Sequence, residues 1–388
     1  MPSYRMLGEV PHKRHTQFRR PDGGLYTEEL VGVEGFSGAS SLLYHRHPPT
    51  ALVAVEAWDL PVIETVANHP LKPRHFRAHK LDAGSGDLVT GRQLLLANED
   101  VRLSYAVADR PSPLYRNARG DECVYVESGQ AVVETVFGSL DVGAGDYVVL
   151  PTSTTHRWLP SGTLRALVIE ARGHVGSPKR YLSATGQFLE SAPYCERDLR
   201  GPAFAAEDPA PDGETEVLVR HGEGGTRYVF SNHPFDVVGW DGCLYPYAFN
   251  IADFEPRVGR VHLPPPTHQT FEGPGFVVCS FCPRPFDFDP EAVPAPYCHA
   301  NVDSDEVLFY VGGDFMSRRG AGIEVGSLTL HPSGWVHGPQ PGSVEASLGA
   351  PGTEEWAVMV DTFRPLRLGP AAVEAEDSGY AWSWSAGR

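Results

Sequence analysis

Short apolar runs separated by turn residues recur along this 388-residue chain. The runs at 52–55, 123–126, 147–150, 276–279 and 307–311 have the length and the β-branched or aromatic content of strands, and glycine and proline lie between them. No long stretch repeats its apolar residues every 3.6 positions, and only Leu182 to Glu190 is predicted to form a short helix. Many strands joined by glycine-rich turns predict an all-β barrel or sandwich.

A repeat along the chain refines this prediction. Residues 117–129 resemble residues 301–313, because in each segment a glutamate, Glu122 or Glu306, precedes a glycine by seven residues. Further along, residues 326–337 follow the pattern G-x5-P-x-G-x2-H, and residues 145–156 repeat it with Ser153 in place of the second glycine. The sequence therefore predicts two similar domains in tandem, residues 1–200 with an N-terminal arm and residues 215–365.

The segments outside the two predicted domains differ in composition from the repeats. Between Asp198 and Thr215, proline, glycine and scattered acidic residues predict a surface connection between the domains. Residues 366–388 form a polar tail that we expect to be extended.

The second repeat contains residue types that bind a metal ion. His299 and, seven residues later, Glu306 precede an alternating apolar run, and the glycine–proline pattern downstream ends at His337. Together these segments resemble the two metal-binding motifs of the cupin family, whose fold is the double-stranded β-helix. The resemblance implies a bicupin, two such barrels in tandem, with His299, Glu306 and His337 as metal ligands. Two imidazoles and one carboxylate on one face of a metal form the facial triad of non-haem Fe(II) oxygenases.

The carboxylate ligand has an alternative in the neighbouring residue. A shift of one position would make Asp305 the ligand, although the spacing of the following apolar run favours Glu306. Many cupins carry a further histidine where this chain has Asn301, so three protein ligands are expected, with open positions for substrate or dioxygen.

The first repeat lacks one of the three ligands. Tyr115 stands where the second repeat has His299, so only Glu122 and His156 remain. Because two ligands rarely hold a divalent ion, we expect the first barrel to be structural.

Three further residues of the second repeat are expected near the metal. His268 follows a rigid run of prolines, which suits a positioned acid–base group. Tyr297 is two residues before His299 and therefore faces the same side of a strand, where its hydroxyl could hydrogen-bond a ligand. His331 lies six residues before His337 and is expected to support the ligands or to lie in the core.

Composition and charge exclude several classes of partner. A net charge of −17 argues against a surface for nucleic acid or anionic membrane, and no apolar leader or stretch of about 18 apolar residues occurs. We therefore expect a cytoplasmic protein.

The six cysteines are not expected to form a disulfide framework, and Cys279 and Cys282 are expected to be buried on opposite faces of a strand.

Beyond the cupin motifs, the chain resembles the homogentisate 1,2-dioxygenases over nearly its whole length. The resemblance rests on the following segments: 43–50 (LYHRHPPT), 179–181 (KRY), 191–198 (SAPYCERD), 240–242 (WDG), 246–247 (PY), 296–301 (PYCHAN) and 337–339 (HGP).

The resemblance implies a function and a set of site residues. Family members are Fe(II) bicupins that convert homogentisate and dioxygen to maleylacetoacetate, and they assemble as homotrimers or hexamers. It implies that His268 handles the proton of the substrate hydroxyl and that Tyr297 binds the substrate. His331 is a further candidate substrate contact. Phe315 stands where other members have a tyrosine that contributes to the substrate pocket, and Arg318 or Arg319 stands where they have a lysine, so Phe315 and Arg318 are candidate substrate contacts. Arg284, Arg318 or Arg319 could anchor a carboxylate.

Two other functions remain open at this point. The same ring-cleaving chemistry could act on another hydroquinone, such as gentisate or a hydroxyaromatic of a secondary pathway. A metal-binding cupin could instead isomerise a sugar phosphate or only bind a ligand, although the proposed triad and the lack of a phosphate-binding motif count against it.

Overall fold

Strands dominate the computed structural model of the chain, which describes residues 3–81, 86–204, 213–222, 224–318 and 320–385. The strands before the first repeat are β1 (Arg5–Gly8), β2 (Thr27–Gly32), β3 (Ser40–His45), β4 (Leu52–Trp58), β5 (Val66–Ala67), β6 (Arg74–Phe76) and β7 (Gln93–Ala97). Those of the first repeat are β8 (Val101–Ala108), β9 (Tyr115–Asn117), β10 (Glu122–Ser128), β11 (Gln130–Thr135), β12 (Gly138–Gly143), β13 (Asp146–Leu150), β14 (His156–Pro160) and β15 (Leu164–Ala171).

The remaining strands follow in three groups. After the first repeat come β16 (Thr215–His221), β17 (Gly224–Phe230), β18 (Val237–Gly242) and β19 (Tyr247–Asn250). The second repeat contains β20 (Gln269–Gly273), β21 (Phe276–Phe281), β22 (Arg284–Pro285), β23 (Asp305–Gly312), β24 (Leu328–His331), β25 (Gly352–Thr353) and β26 (Trp356–Thr362), and the tail adds β27 (Arg367–Leu368).

The helices of the described residues are short. The α-helices are α1 (Ser343–Ser347) and α2 (Pro370–Ala375), and the 3-10 turns are Glu34–Phe36, Ala78–Lys80, Lys179–Tyr181, Glu196–Asp198, Ile251–Asp253, Pro265–His268, Met316–Arg318 and Tyr380–Ser385. Within the described part of the chain, no helix has the length and apolar character that crossing a bilayer requires. The predicted helix from Leu182 to Glu190 is wrong: Leu182 and Phe188 form an antiparallel bridge there.

The first repeat forms the two sheets of a double-stranded β-helix. Its strands alternate between one sheet in the order β13-β10-β15-β8 and another in the order β12-β11-β14-β9. Strand β10 shows why, since Cys123 and Tyr125 pack in one apolar cluster and Val124 and Val126 in another. Successive side chains of a strand point to opposite faces, so a continuous apolar run contributes to a core on each side of its sheet.

The second repeat reproduces one of these sheets in full. Its strands lie side by side in the order β21-β26-β23-β24, and these correspond one by one to β8-β15-β10-β13 of the first repeat. The facing layer consists of an isolated bridge between His299 and His337 and of the short pair β22–β25. The fold is thus all-β, with two double-stranded β-helix repeats in tandem, and the second has one complete sheet.

The boundary between the halves differs from the sequence prediction. Strands β16 to β19, which follow residue 215, pair with β9, β4, β3 and β13 and so extend the sheets of the first half. The connection between Asp198 and Thr215 therefore joins two parts of the first half. Residues 205–212 of that connection lie outside the described residues.

The tail is folded, which corrects the prediction of an extended segment. Helix α2 packs against β7, and Tyr380 in the final 3-10 turn is only 2% exposed. Its aromatic residues bury apolar area against the second repeat, which outweighs the polar composition of the segment.

Candidate metal centre

Three side chains of the second repeat converge on one point. His299, Glu306 and His337 each offer a ligand atom, and these atoms all lie within 4.8 Å of one another. One carboxylate oxygen of Glu306 is 3.4 Å from Nε2 of His299, and the other is 3.1 Å from Nε2 of His337. Glu306 stands in β23, and the two histidines are held side by side by reciprocal backbone hydrogen bonds of 2.7 and 2.8 Å.

These distances fit a shared divalent cation. Ligand atoms about 2.1 Å from a metal and at right angles to each other are about 3 Å apart. Nδ1 of His299 is buried without a hydrogen-bond partner. Although burial by itself raises the pKa of Glu306, hydrogen bonds with the surrounding imidazoles hold that pKa well below its usual value. The group therefore offers two nitrogens and an ionised carboxylate to a metal ion.

The structure distinguishes Glu306 from the alternative ligand Asp305. One carboxylate oxygen of Asp305 accepts a 2.9 Å hydrogen bond from the backbone of Ser333, and the other accepts one of 2.8 Å from Leu366. Because neighbouring strand residues face opposite sides, Asp305 ties two chain segments together on the side away from the triad.

His331 supports the carboxylate of the triad. Its Nδ1 lies 2.8 Å from Glu306, and its Nε2 lies 2.9 Å from the hydroxyl of Tyr380. Because the carboxylate of Glu306 can only accept, Nδ1 of His331 carries the proton and donates it to this hydrogen bond. The hydroxyl of Tyr380 then donates to the unprotonated Nε2. His331 itself is fully buried and does not line the cavity described next.

A cavity of about 240 Å³ opens in front of the triad. Of the residues that the sequence predicted for the site, His268, Tyr297, His299, Glu306 and Arg318 line it. Tyr297 is 42% exposed and its ring centre lies 5.8 Å from that of His299, so it stands at the mouth. The predicted substrate contact Phe315 instead packs on Tyr310 in an apolar cluster, and Arg319 lies outside the described residues.

His268 is one of two histidines of the cavity wall that lie outside the triad motifs, the other being His262. His268 ends the 3-10 turn that follows Pro264, and its ring packs 4.8 Å from that of Phe281. Its Nδ1 is buried without a hydrogen-bond partner. Burial, with the charge of Arg284, lowers the pKa of His268 to about 3, so the ring is neutral at pH 7.

Two partly buried acids of the cavity wall were not recognised from the sequence. Asp361 pairs with Glu306 across β26 and β23, and burial together with the charge of Glu306 raises its pKa to about 8. Partial burial raises the pKa of Glu355, while the charges of Arg284 and Arg318 oppose that shift. A sequence signal did exist for Asp361, because it is an acid within an otherwise apolar strand.

The two arginines of the wall differ in their hydrogen bonds. Arg318 is buried and donates to the carbonyl of Gly338 at 2.6 Å and to the hydroxyl of Tyr310 at 3.3 Å. Arg284 is partly exposed and donates at 3.2 Å to the carbonyl of Cys282. Of the two arginines, Arg284 is therefore the more exposed and makes fewer of these hydrogen bonds.

The cysteines take no part in this site. All six are unpaired, and Cys279 and Cys282 lie in different apolar clusters. Burial raises the pKa of both thiols, as expected for inert core cysteines.

Comparisons with known proteins agree with the fold and bear on function. A family model described as homogentisate 1,2-dioxygenase N-terminal matches residues 5–251. A protein of Saccharolobus solfataricus, provisionally named a dioxygenase, is 40% identical over 389 residues, which cover 98% of each chain. Homogentisate 1,2-dioxygenase of Emericella nidulans is 26% identical over 70% of this chain and 60% of its own length. The homogentisate 1,2-dioxygenase of Rhodopseudomonas palustris is 25% identical over 86% of this chain and 78% of its own length.

Solved structures similar to this chain include cupins. A cupin 2 conserved barrel protein from Leptotrichia buccalis aligns with 78% of this chain and 99% of its own, at 9% identity and a TM-score of 0.32.

Proposed function

The chain belongs to the homogentisate 1,2-dioxygenase family, and on that premise we propose that it cleaves the ring of homogentisate with dioxygen at Fe(II). The product would be maleylacetoacetate, in which both atoms of dioxygen are retained and the ring bond beside the acetate-bearing carbon is broken. The observation that carries the proposal is the convergence of His299, Glu306 and His337 at one end of a cavity.

The three ligands would hold the iron and leave part of its coordination sphere facing the cavity. Iron in this position supplies the one-electron chemistry by which dioxygen reacts with an electron-rich ring. The protein contributes orientation, because His299 and His337 are fixed to each other by backbone hydrogen bonds and Glu306 is fixed by His331.

The size and lining of the cavity fit one substituted aromatic ring. Its volume of about 240 Å³ is below the range of about 300–1,000 Å³ that drug-sized ligands occupy. Phe281, Phe286 and Pro296 form apolar wall on which a ring can pack, and they exclude bulk water from the reacting atoms.

His268 would handle the proton of a ring hydroxyl. His268 lines the cavity, and its neutral imidazole can accept a hydrogen bond from a phenol hydroxyl. Phe281 packs on the ring of His268 and holds its orientation, so the imidazole does not need to be reorganised when substrate enters.

Arg284 would bind the acetate group of the substrate. Its guanidinium is partly exposed on the cavity wall, and a carboxylate can accept two parallel hydrogen bonds from it. Arg318 contributes a second positive charge at the same wall, although it donates hydrogen bonds to Gly338 and Tyr310. In a chain with a net charge of −17, this local pair is what allows an anion to enter.

The test is oxygen uptake by protein loaded anaerobically with Fe(II). We expect one dioxygen consumed per homogentisate, with the appearance of the absorbing ring-opened product, and parallel assays with gentisate and unsubstituted hydroquinone define the substrate. Turnover of gentisate but not of homogentisate would contradict the proposed substrate but not the proposed ring cleavage by dioxygen. Bound zinc without oxygen uptake on any hydroquinone would favour an isomerase or a ligand-binding cupin.

A variant of the proposed base separates proton handling from metal binding. We expect His268→Gln to lower kcat by about 10²–10⁴-fold, the usual contribution of acid–base catalysis, with the metal content unchanged. His299→Ala should abolish turnover through loss of the metal while the barrel stays folded. If His268→Gln retains full activity, this histidine has no part in proton transfer.

A further inference from the structure

The first repeat contains a site that corresponds to the metal centre residue by residue. The bridge between Tyr115 and His156 is the counterpart of the bridge between His299 and His337, and Glu122 pairs with its neighbours as Glu306 does. Five positions correspond through this pairing: Tyr115 to His299, Glu122 to Glu306, Leu150 to His331, His156 to His337 and Glu170 to Asp361.

A positive charge already stands at this site in the form of Arg92. Its guanidinium group lies 2.7 and 2.8 Å from the two carboxylate oxygens of Glu122 and 3.2 Å from Glu170, and its side chain is only 6% exposed. The guanidinium carbon also lies 5.4 Å from the ring centre of Tyr115. Carboxylates and an aromatic face thus surround this charge.

Arg92 enters the site from a position that matches His268 in the second repeat. Arg92 directly precedes β7, which pairs with β8, and His268 directly precedes β20, which pairs with β21. The same part of the fold therefore delivers a neutral imidazole to the cavity in one repeat and a permanent cation to the centre of the site in the other.

The remaining ligand counterparts still have the properties of metal ligands. Nε2 of His156 is buried without a hydrogen-bond partner, and burial lowers the pKa of this imidazole. Although burial raises the pKa of Glu122, the charge and hydrogen bonds of Arg92 lower it to about 2, so the carboxylate is ionised. A buried carboxylate of this kind requires a positive partner, and Arg92 supplies it.

We propose that the guanidinium group of Arg92 replaces a divalent cation in the first barrel, and that this replacement, rather than the missing third ligand alone, keeps the barrel free of metal. A divalent ion would have to enter beside a buried positive charge that already neutralises Glu122. Removing that charge and restoring the third ligand should create a second metal site of the His–Glu–His type, suited to a divalent transition metal.

The test compares metal binding in variants that all carry Glu306→Ala, so that the second barrel contributes no metal. Anaerobic dialysis against Co(II) and metal analysis are applied to this background, to the background with Tyr115→His, and to the background with Tyr115→His and Arg92→Ala. We expect no Co(II) in the background or in the background with Tyr115→His. We expect one Co(II) per chain when Arg92→Ala is added. One Co(II) per chain with Tyr115→His alone would overturn the proposal, because the ligand count would then suffice. None in the folded triple variant would overturn it as well.

A second measurement uses the unaltered protein and does not depend on the folding of any variant. Hydrogen exchange is followed by mass spectrometry with metal bound and after removal by a chelator. We expect faster exchange in β23 without metal and unchanged exchange in β10, because Arg92 holds Glu122 in both states. Equal acceleration in both strands would overturn the proposal. Failure of the wild-type chain to bind iron would contradict the proposed function, while the Co(II) comparison of the first barrel would still decide this inference.

Discussion

The hydroxyl of Tyr380 lies 2.9 Å from Nε2 of His331, and this bond connects the C-terminal tail to the metal centre. The opposite nitrogen of His331 lies 2.8 Å from Glu306. Trp384, four residues after Tyr380, donates a 3.0 Å hydrogen bond to the carbonyl of Gly338, the residue that follows the ligand His337. The tail thus contacts the backs of two ligand-bearing segments.

The variant Tyr380→Phe tests whether the tail positions the carboxylate ligand. Loss of the hydroxyl leaves Nε2 of His331 buried without a partner, which should lower the free energy of unfolding by about 1–3 kcal/mol. Metal affinity should fall by about 10-fold or more, as for other groups that orient a ligand. Ser383→Ala, which removes only the bond from Gln340, is the control, and equal metal dissociation constants for both variants would contradict the role of Tyr380.

Asp305 and Glu306 should differ in what their amide variants lose. Glu306→Gln removes a ligand charge, so metal binding should be lost. Asp305→Asn replaces an acceptor of two backbone hydrogen bonds, so stability should fall by about 1–3 kcal/mol while one metal per chain remains. Metal analysis and thermal unfolding measure the two effects. Retention of metal by Glu306→Gln and its loss in Asp305→Asn would reverse the assignment.

Gly338 should be essential for the geometry of the two histidine ligands. A Cβ atom at this position would lie 2.7 Å from the Cα of Cys298 and 3.0 Å from the carbonyl oxygen of Tyr297. We therefore expect Gly338→Ala to displace the segment that carries His299 and to weaken metal binding by at least 10-fold. Gly176→Ala is the control, because nothing lies within 4 Å of its added Cβ. Normal metal content in Gly338→Ala would show that the segment can shift without loss of the site.

Arg284→Gln should affect substrates according to their charge. Hydrogen bonds to charged groups contribute about 1.5–3 kcal/mol, so KM for homogentisate should rise by about 10- to 100-fold. KM for hydroquinone, which lacks a carboxylate, should stay the same. Arg260→Gln, which removes an exposed arginine paired with Asp289, serves as control in steady-state assays. A parallel rise for both substrates would mean that Arg284 shapes the cavity instead of binding an anion.

His45 should make stability fall at alkaline pH. This buried imidazole lies between Asp236, at 2.6 Å, and Glu29, at 2.8 Å. Burial opposes its protonation, but the two carboxylates raise its pKa from 6.5 to about 9. Because the folded-state pKa is the higher one, the stabilisation is complete below about pH 6.5 and is lost as pH rises through 9. Each unit of pKa shift corresponds to about 1.4 kcal/mol, so the stabilisation by protonated His45 is at most about 3 kcal/mol.

Urea unfolding between pH 6 and pH 10 measures this dependence. His45→Gln should remove most of the decrease in stability, whereas His221→Gln, at an exposed histidine, should keep it. If the wild-type chain and His45→Gln lose stability in parallel, the ion pairs of His45 do not cause the decrease.

Much of the fold follows from short-range patterns in the sequence. The apolar runs at 123–126 and 307–311 lie in β10 and β23, as predicted, because a period of two within a few residues defines the two faces of a strand. The set of His299, Glu306 and His337 was predicted from the resemblance to the cupin motifs, and the three side chains converge in the structure. Glu306 lies with the two histidines, whereas Asp305, its neighbour in β23, faces the other side.

Contacts between distant segments needed the tertiary structure. No local pattern links Tyr380 to His331, or Arg92 to Glu122, because the partners are 49 and 30 residues apart along the chain. The polar tail was predicted to be extended for want of a periodic apolar face, yet its few aromatic side chains suffice to bury it. The sequence by itself thus determined the strands and the candidate ligands, whereas only long-range packing decided what surrounds each site and that a guanidinium group lies in the first one.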